Sequence, residues 1–127
     1  MKLLLDTSVL IDVLRRRNQR RELLAELIRA GHILTTTTLN IAELYAGMRP
    51  EEEAPTEAFL GGLELYELSG PSARQAGKLK SAWAKKGRTL ALADTIVAAS
   101  AMEHGCALLT DNRRDFPMPE VRLYPLP

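Results

Sequence analysis

Two apolar runs near opposite ends of this chain finish alike. Leu3-Leu4-Leu5 leads into Asp6-Thr7, and Leu108-Leu109 leads into Thr110-Asp111-Asn112. Each run suits a buried strand and delivers a carboxylate and a hydroxyl at its carboxyl end. In a parallel sheet those ends share one edge, where open α/β sheets place their ligands. Two further acids can face that edge: Glu43, about one turn into the helix after the second strand, and Asp94, at the start of a helix over 93–104. Glu43 points away from the stripe Ile41, Leu44, Tyr45, Met48 and has the small neighbours Ala42, Ala46 and Gly47, which leaves room for a cleft. Three or four carboxylates in one crevice repel one another unless a cation joins them. Donors that are all oxygen favour Mg²⁺ or Mn²⁺ over Zn²⁺. His32 and His104 lack a ligand-like spacing.

Each acid also has an ordinary use. Asp6 and Asp94 could cap helices, Glu43 could be a solvated helix residue, and Asp111 or Asp115 could form turns. Asp12, inside the first helix, reads as structural or solvated.

The elements that must position these groups follow from periodicity. Leu3–Leu5 is a strand, and a helix runs through Val9 to Leu14. Leu23, Leu24, Leu27 and Ile28 fall at helical spacing before Gly31, and His32 to Thr37 reads as a second strand. Thr38 or Asn40 caps the next helix, which ends near Pro50; another helix falls within 52–63. Leu65–Leu68 is a weaker strand candidate, Ser72–Lys86 a helix stopped by Gly87, and Ala93–His104 a largely apolar, buried helix stopped by Gly105. Ala107–Leu109 is a buried strand, and Val121–Tyr124 alternates as an outer strand before Pro125. Strands separated by helices imply parallel pairing, hence an α/β class fold: a three-layer α/β/α sandwich around a parallel sheet of four to five strands, expected to form a single domain over 1–127.

At 127 residues, 46% hydrophobic and 26% charged, the chain can build one core without disulfides. Cys106 is the one cysteine, and the short Leu3–Leu5 run is neither a signal-peptide core nor a membrane span, so a cytoplasmic setting without membrane contact is expected. A net charge of +1 gives no ground for a globally basic nucleic-acid binder, but the distribution is uneven. Arg15, Arg16, Arg17, Arg20 and Arg21 crowd together, and no acid interrupts Leu68–Ala93. In the helix at 72–86, Arg74, Lys78 and Lys85 share a stripe opposite Ala76, Leu79 and Trp83, so a positive face there either is simply solvated or guides a phosphate backbone. The arginine group at 15–21 is solvent-facing, contacts RNA or lies under a partner peptide. Trp83 reads as a core anchor.

Together the motifs resemble the PIN-domain family, and within it the toxins of VapBC modules, across essentially the whole chain. Asp6 in Leu5-Asp6-Thr7-Ser8-Val9-Leu10-Ile11-Asp12 looks like the family's first acid, Glu43 in Ile41-Ala42-Glu43-Leu44 like its second, and Asp94 in Leu92-Ala93-Asp94-Thr95 like its third. Leu109-Thr110-Asp111-Asn112-Arg113-Arg114-Asp115-Phe116 resembles the Thr-x-Asn-x-x-Asp-Phe element, with Thr110, Asn112 and Asp115 in register and Asp111 on its variable position. Asp115, Asp111 or both could complete the acidic set. The resemblance implies a PIN-like fold and Mg²⁺- or Mn²⁺-dependent endoribonuclease activity with one or two ions held by Asp6, Glu43, Asp94 and the fourth acid, supported by Thr7, Thr110 and Asn112. It further implies a small antitoxin partner and a homodimer.

Rival readings fare worse. A haloacid-dehalogenase-type phosphatase wants a second acid where Ser8 stands, and a response-regulator receiver wants an acidic pair where only Asp6 stands. A catalytically silent PIN-like module binding RNA or protein would be expected to lack a metal carboxylate, and none of the first three is missing. A DNA-directed nuclease stays open.

Overall fold

The computed structural model describes all residues 1–127. Four strands, β1 (Lys2–Leu5), β2 (Ile33–Thr37), β3 (Glu64–Tyr66) and β4 (Ala107–Leu109), form one sheet in the order β3-β2-β1-β4. All three pairings are parallel. Six helices connect them: α1 (Thr7–Leu14), α2 (Arg20–Arg29), α3 (Thr38–Ala46), α4 (Glu53–Leu60), α5 (Gly70–Lys85) and α6 (Leu92–Glu103). Short 3₁₀ turns stand at Pro50–Glu52 and Arg113–Asp115.

Strand alternation splits the core into two layers. Leu3, Leu5 and Leu109 face one side with Val9, Leu10, Leu24, Leu27 and Leu44; Leu4 and Leu108 face the other with Leu79, Leu90, Val97 and Ala98. Both faces of β1 are therefore covered, as its uninterrupted leucines require. Thr35 and Thr36 are fully buried in β2, and each hydroxyl donates to a β1 carbonyl, Leu3 O at 3.1 Å and Leu5 O at 2.9 Å. No buried hydroxyl is wasted there.

Two expectations need correction. Val121–Tyr124 is not a strand: only an isolated bridge joins Leu123 to Leu108, and Pro119 and Pro125 bracket the segment too closely for a longer ladder. The cap of α3 is Thr37, one residue earlier than expected, because the extended last residue of β2 aims its hydroxyl at the Asn40 N–H, 3.1 Å away. Gly87 and Gly105 adopt φ of +88° and +64° just past α5 and α6, the left-handed conformation that ends a helix at least cost to glycine.

Candidate metal-binding and nuclease site

Strand register assembles the centre of the site. Leu5 stands opposite Leu109 and Leu4 opposite Thr35, so Asp6, Thr37 and Thr110 come side by side at the carboxyl edge. Asp6 occupies the N-cap position of α1 yet makes no capping bond. Its carboxylate instead accepts from Thr110 Oγ1 at 2.7 Å and from Asn40 Nδ2 at 3.3 Å. The ordinary reading of Asp6 as a helix cap is thereby set aside.

Asn40 ties β1 to α3. Fully buried, it accepts from the Thr37 hydroxyl at 2.6 Å and donates to Thr7 Oγ1 at 3.0 Å as well as to Asp6. Thr7 in turn donates to Glu43 Oε1 at 2.7 Å. Asn40 and Glu43 are three apart on α3, hence on one face, and the relay Asn40 to Thr7 to Glu43 fixes the exposed glutamate beside the buried aspartate. Sequence reasoning gave Asn40 only a capping role. Its long-range partners, 33 and 34 residues away, carry no local signal.

Asp94 lies in the first turn of α6, half-buried and without a capping bond of its own. Its carboxyl is pushed up to about 6 by burial first, then by the negative charges of Asp115, Asp6 and Glu43. Asp6 is also raised, by burial first and further by Glu43, against the lowering hydrogen bonds from Thr110 and Asn40. Asp94 thus feels the other three acids, and Asp6 feels Glu43. The ion pairs of the chain are Lys2–Glu64, Arg15–Glu52, Arg20–Asp111 and His104–Glu103, and none neutralises Asp6, Glu43, Asp94 or Asp115.

Asp111 behaves differently. It pairs with Arg20 Nη2 at 2.7 Å, so its charge is already compensated, whereas Asp115 is the strongest charge felt by Asp94. Asn112 contributes its backbone, whose N–H donates to Thr110 Oγ1 at 3.0 Å. Asp12 is buried and accepts from Asn18 Nδ2, which fits the structural reading.

The donor chemistry suits a hard dication: uncompensated carboxylates, one with a strongly raised pKa, and no thiol or imidazole among them. No three of the acids stand close enough to form one ion's ligand shell by themselves. Mg²⁺ is commonly held in just that way, by one or two carboxylates with waters and substrate phosphate completing the octahedron.

The positive stripe of α5 needs revision. Ser72 near the start of α5 donates to Glu103 at the end of α6, so the two helices run antiparallel and Arg74 lies at the far end from Asp94. Lys78 is midway, and Lys85 closes α5 at the end nearest the start of α6. Three arginines also belong to that end of the chain's path: Arg113 and Arg114 precede Asp115 in its 3₁₀ turn, and Arg88 follows α5. Arg88 donates to the Arg114 carbonyl, which clips the 87–91 loop onto the turn bearing Asp115. That turn borders a hollow lined by Asp111, Asn112, Arg113, Arg114 and Asp115. Trp83 is partly buried against the second core layer, with Lys86 Nζ 4.5 Å over its ring, consistent with a packing role.

The PIN domain family model matches residues 3–120. This chain belongs to the PIN-domain family. The PIN domain is 36% identical over 115 residues to ribonuclease VapC19 of Mycobacterium tuberculosis, spanning 91% of this chain and 92% of that one. Its fold matches VapBC2 from Rickettsia felis bound to a promoter DNA fragment, with a TM-score of 0.87 at 21% identity over 98% of each chain. It also matches a toxin-antitoxin complex from Klebsiella pneumoniae, with a TM-score of 0.77 at 25% identity over 94% of each chain. The expected three-layer fold with a central parallel sheet is confirmed, with four strands.

Proposed function

We propose that this PIN domain is a divalent-metal-dependent endoribonuclease and the toxin of a toxin-antitoxin pair, with Asp6, Glu43, Asp94 and Asp115 as the acidic set. The reading is supported above all by Asp6 and Glu43 being linked through Asn40 and Thr7, and by the charges of Asp115, Asp6 and Glu43 bearing on Asp94, while none of the four is held in an ion pair. The likeness to a named ribonuclease supports RNA as the polymer.

A bound Mg²⁺ or Mn²⁺ would supply a nucleophile at neutral pH and stabilise charge on the phosphate. Asp6 and Asp94 would hold the ion, with Asp115 and Glu43 reaching it through water. Thr110 and Asn40 orient the two oxygens of Asp6, and Thr7 orients Glu43. Arg88, Arg113 and Lys85 would bind phosphates on either side of the scissile bond, a contact that weakens with salt.

The antitoxin reading is supported by the toxin-antitoxin likeness and by an apolar groove lined by Val13, Leu14, Leu24, Ile28, Ala58 and Phe59. Leu14 also lines the adjoining hollow that contains Glu43, so a peptide seated in the groove runs on to the acids. The homodimer belongs to the same reading and is checked by sedimentation.

The experiment is cleavage of a broad RNA pool and of single- and double-stranded DNA, side by side, with Mn²⁺, Mg²⁺ or chelator. Cleavage of RNA alone, lost in chelator, supports the proposal. Cleavage of DNA alone makes the chain a DNA nuclease, and no cleavage of either makes it a silent binding module.

A further inference from the structure

Arg20 was one of five clustered arginines that sequence composition alone leaves solvent-facing or partner-facing, yet it is buried by its own chain at 4% exposure. Its Nη2 pairs with Asp111 at 2.7 Å, its Nη1 donates weakly to Asn18 O and Pro127 O, and its Nε is buried without a partner. A buried, incompletely satisfied guanidinium is an expensive way to fill space that a leucine could fill. The backbone that delivers it is strained too. Arg16, Asn18 and Gln19, all non-glycine, adopt φ of 54–55° in the corner between α1 and α2. Such costs persist where surrounding structure and function require them.

What Arg20 holds is the stretch from Thr110 to Asp115. Asp111 is fixed at its carboxylate by Arg20 and at its N–H by Ser8 Oγ, 3.3 Å away. Its neighbour Thr110 donates to Asp6, the Asn112 N–H donates back to Thr110, and the Asp115 N–H donates to Asn112 O at 2.9 Å. One continuous string of bonds thus runs from the buried arginine to the fourth acid. Without the arginine, Asp111 would stand as a fifth free negative charge beside the acids and the turn would lose its inner anchor.

We infer that Arg20 is a positioning residue of the acidic site: it withdraws Asp111 from the acidic set and anchors the 110–115 turn that brings Asp115 to Asp94. The inference rests on the nuclease reading for its functional meaning, while the tether itself can be read without metal or RNA.

The test compares wild type with Arg20→Gln, Arg20→Lys, Asp111→Asn and the double variant Arg20→Gln/Asp111→Asn. Amide hydrogen exchange is measured on the metal-free proteins, and Mn²⁺ binding is titrated by electron paramagnetic resonance. The Asn112 and Asp115 amides should lose protection in Arg20→Gln and Asp111→Asn while β1 and α6 amides keep theirs. Mn²⁺ affinity should fall about tenfold in either single variant, no further in the double variant, and less in Arg20→Lys. Should Arg20→Gln fail to fold, Asp111→Asn, altered at a partly exposed side chain, carries the comparison. Unchanged turn protection and Mn²⁺ affinity in Asp111→Asn, or protection lost evenly over the whole chain in Arg20→Gln, would overturn the inference. A wild type that neither binds Mn²⁺ nor cleaves RNA would instead remove the nuclease reading, and the exchange data would still decide whether Arg20 holds the turn.

Discussion

Thr110 and Asp6 lie 104 residues apart in sequence, yet the Thr110 hydroxyl donates to Asp6 Oδ2 at 2.7 Å, both groups nearly buried. This bond follows directly from the register of β4 on β1. Replacing Thr110 with Val keeps the shape but leaves a carboxylate oxygen without its donor, at a cost of about 1–3 kcal/mol in stability. RNA cleavage should fall about tenfold or more as Asp6 loses its orientation. Thr110→Ser should keep most of both. Chemical denaturation and cleavage rates measured on the same preparations check this.

Asn40 offers a sharper substitution. Asn40→Asp preserves size but sets a second carboxylate against Asp6 Oδ1, now 3.3 Å from the amide nitrogen. Two adjacent buried carboxylates cannot both ionise freely. At pH 7 Asn40→Asp should therefore be less stable than Asn40→Ala, and the gap should close toward pH 4, where a shared proton restores a donor. Melting temperatures of the two variants across that range give the answer.

The placing of these acids was legible in sequence because apolar runs ending in Asp6 and Thr110 announce buried strands whose ends share an edge, and because Glu43 and Asp94 sit within two helical turns of that edge. What sets Asp111 apart from Asp115 was not legible. Asp111 pairs with Arg20, 91 residues away, and an arginine inside a run of arginines carries no mark of burial. The position of Arg74, at the end of α5 away from Asp94, was not legible for a related reason: a helical wheel gives the face of α5 but not which end lies near Asp94, and that depends on its antiparallel packing against α6. Val121–Tyr124 shows the limit of alternation, since flanking prolines confined it to a single bridge.

Asp94 makes stability depend on pH. Its carboxyl, ordinarily near 3.8, is raised to about 6 by burial and by Asp115, Asp6 and Glu43. Well below pH 3.8 the group is protonated in folded and unfolded chains alike and costs nothing. As pH climbs from about 4 to about 6 the unfolded chain ionises first, so metal-free stability falls, by roughly 1–2 kcal/mol once partial exposure is discounted. Melts in chelator should show this decline, Asp94→Asn should reduce it to the part that the raised Asp6 carboxyl contributes, and Mn²⁺ should reverse it above pH 6 by binding the ionised folded form. A decline of equal size in Asp94→Asn would assign it elsewhere.

The cations at the site end separate binding from chemistry. Arg113→Ala and Arg88→Ala should each raise KM for RNA and lower the salt dependence of binding by about one unit of slope, whereas Arg74→Ala, at the far end of α5, should change neither. Cleavage at several salt concentrations measures both effects. Equal losses from Arg74 and Arg113 would return the RNA track to the α5 stripe.

The most direct measurement is a Mn²⁺ titration of the purified protein at pH 7.5 beside Asp6→Asn and Asp94→Asn, with folding verified by circular dichroism. The account predicts saturable binding of one or two ions to the wild type and at least a tenfold loss of affinity in each variant. Binding of equal strength in all three proteins would contradict it.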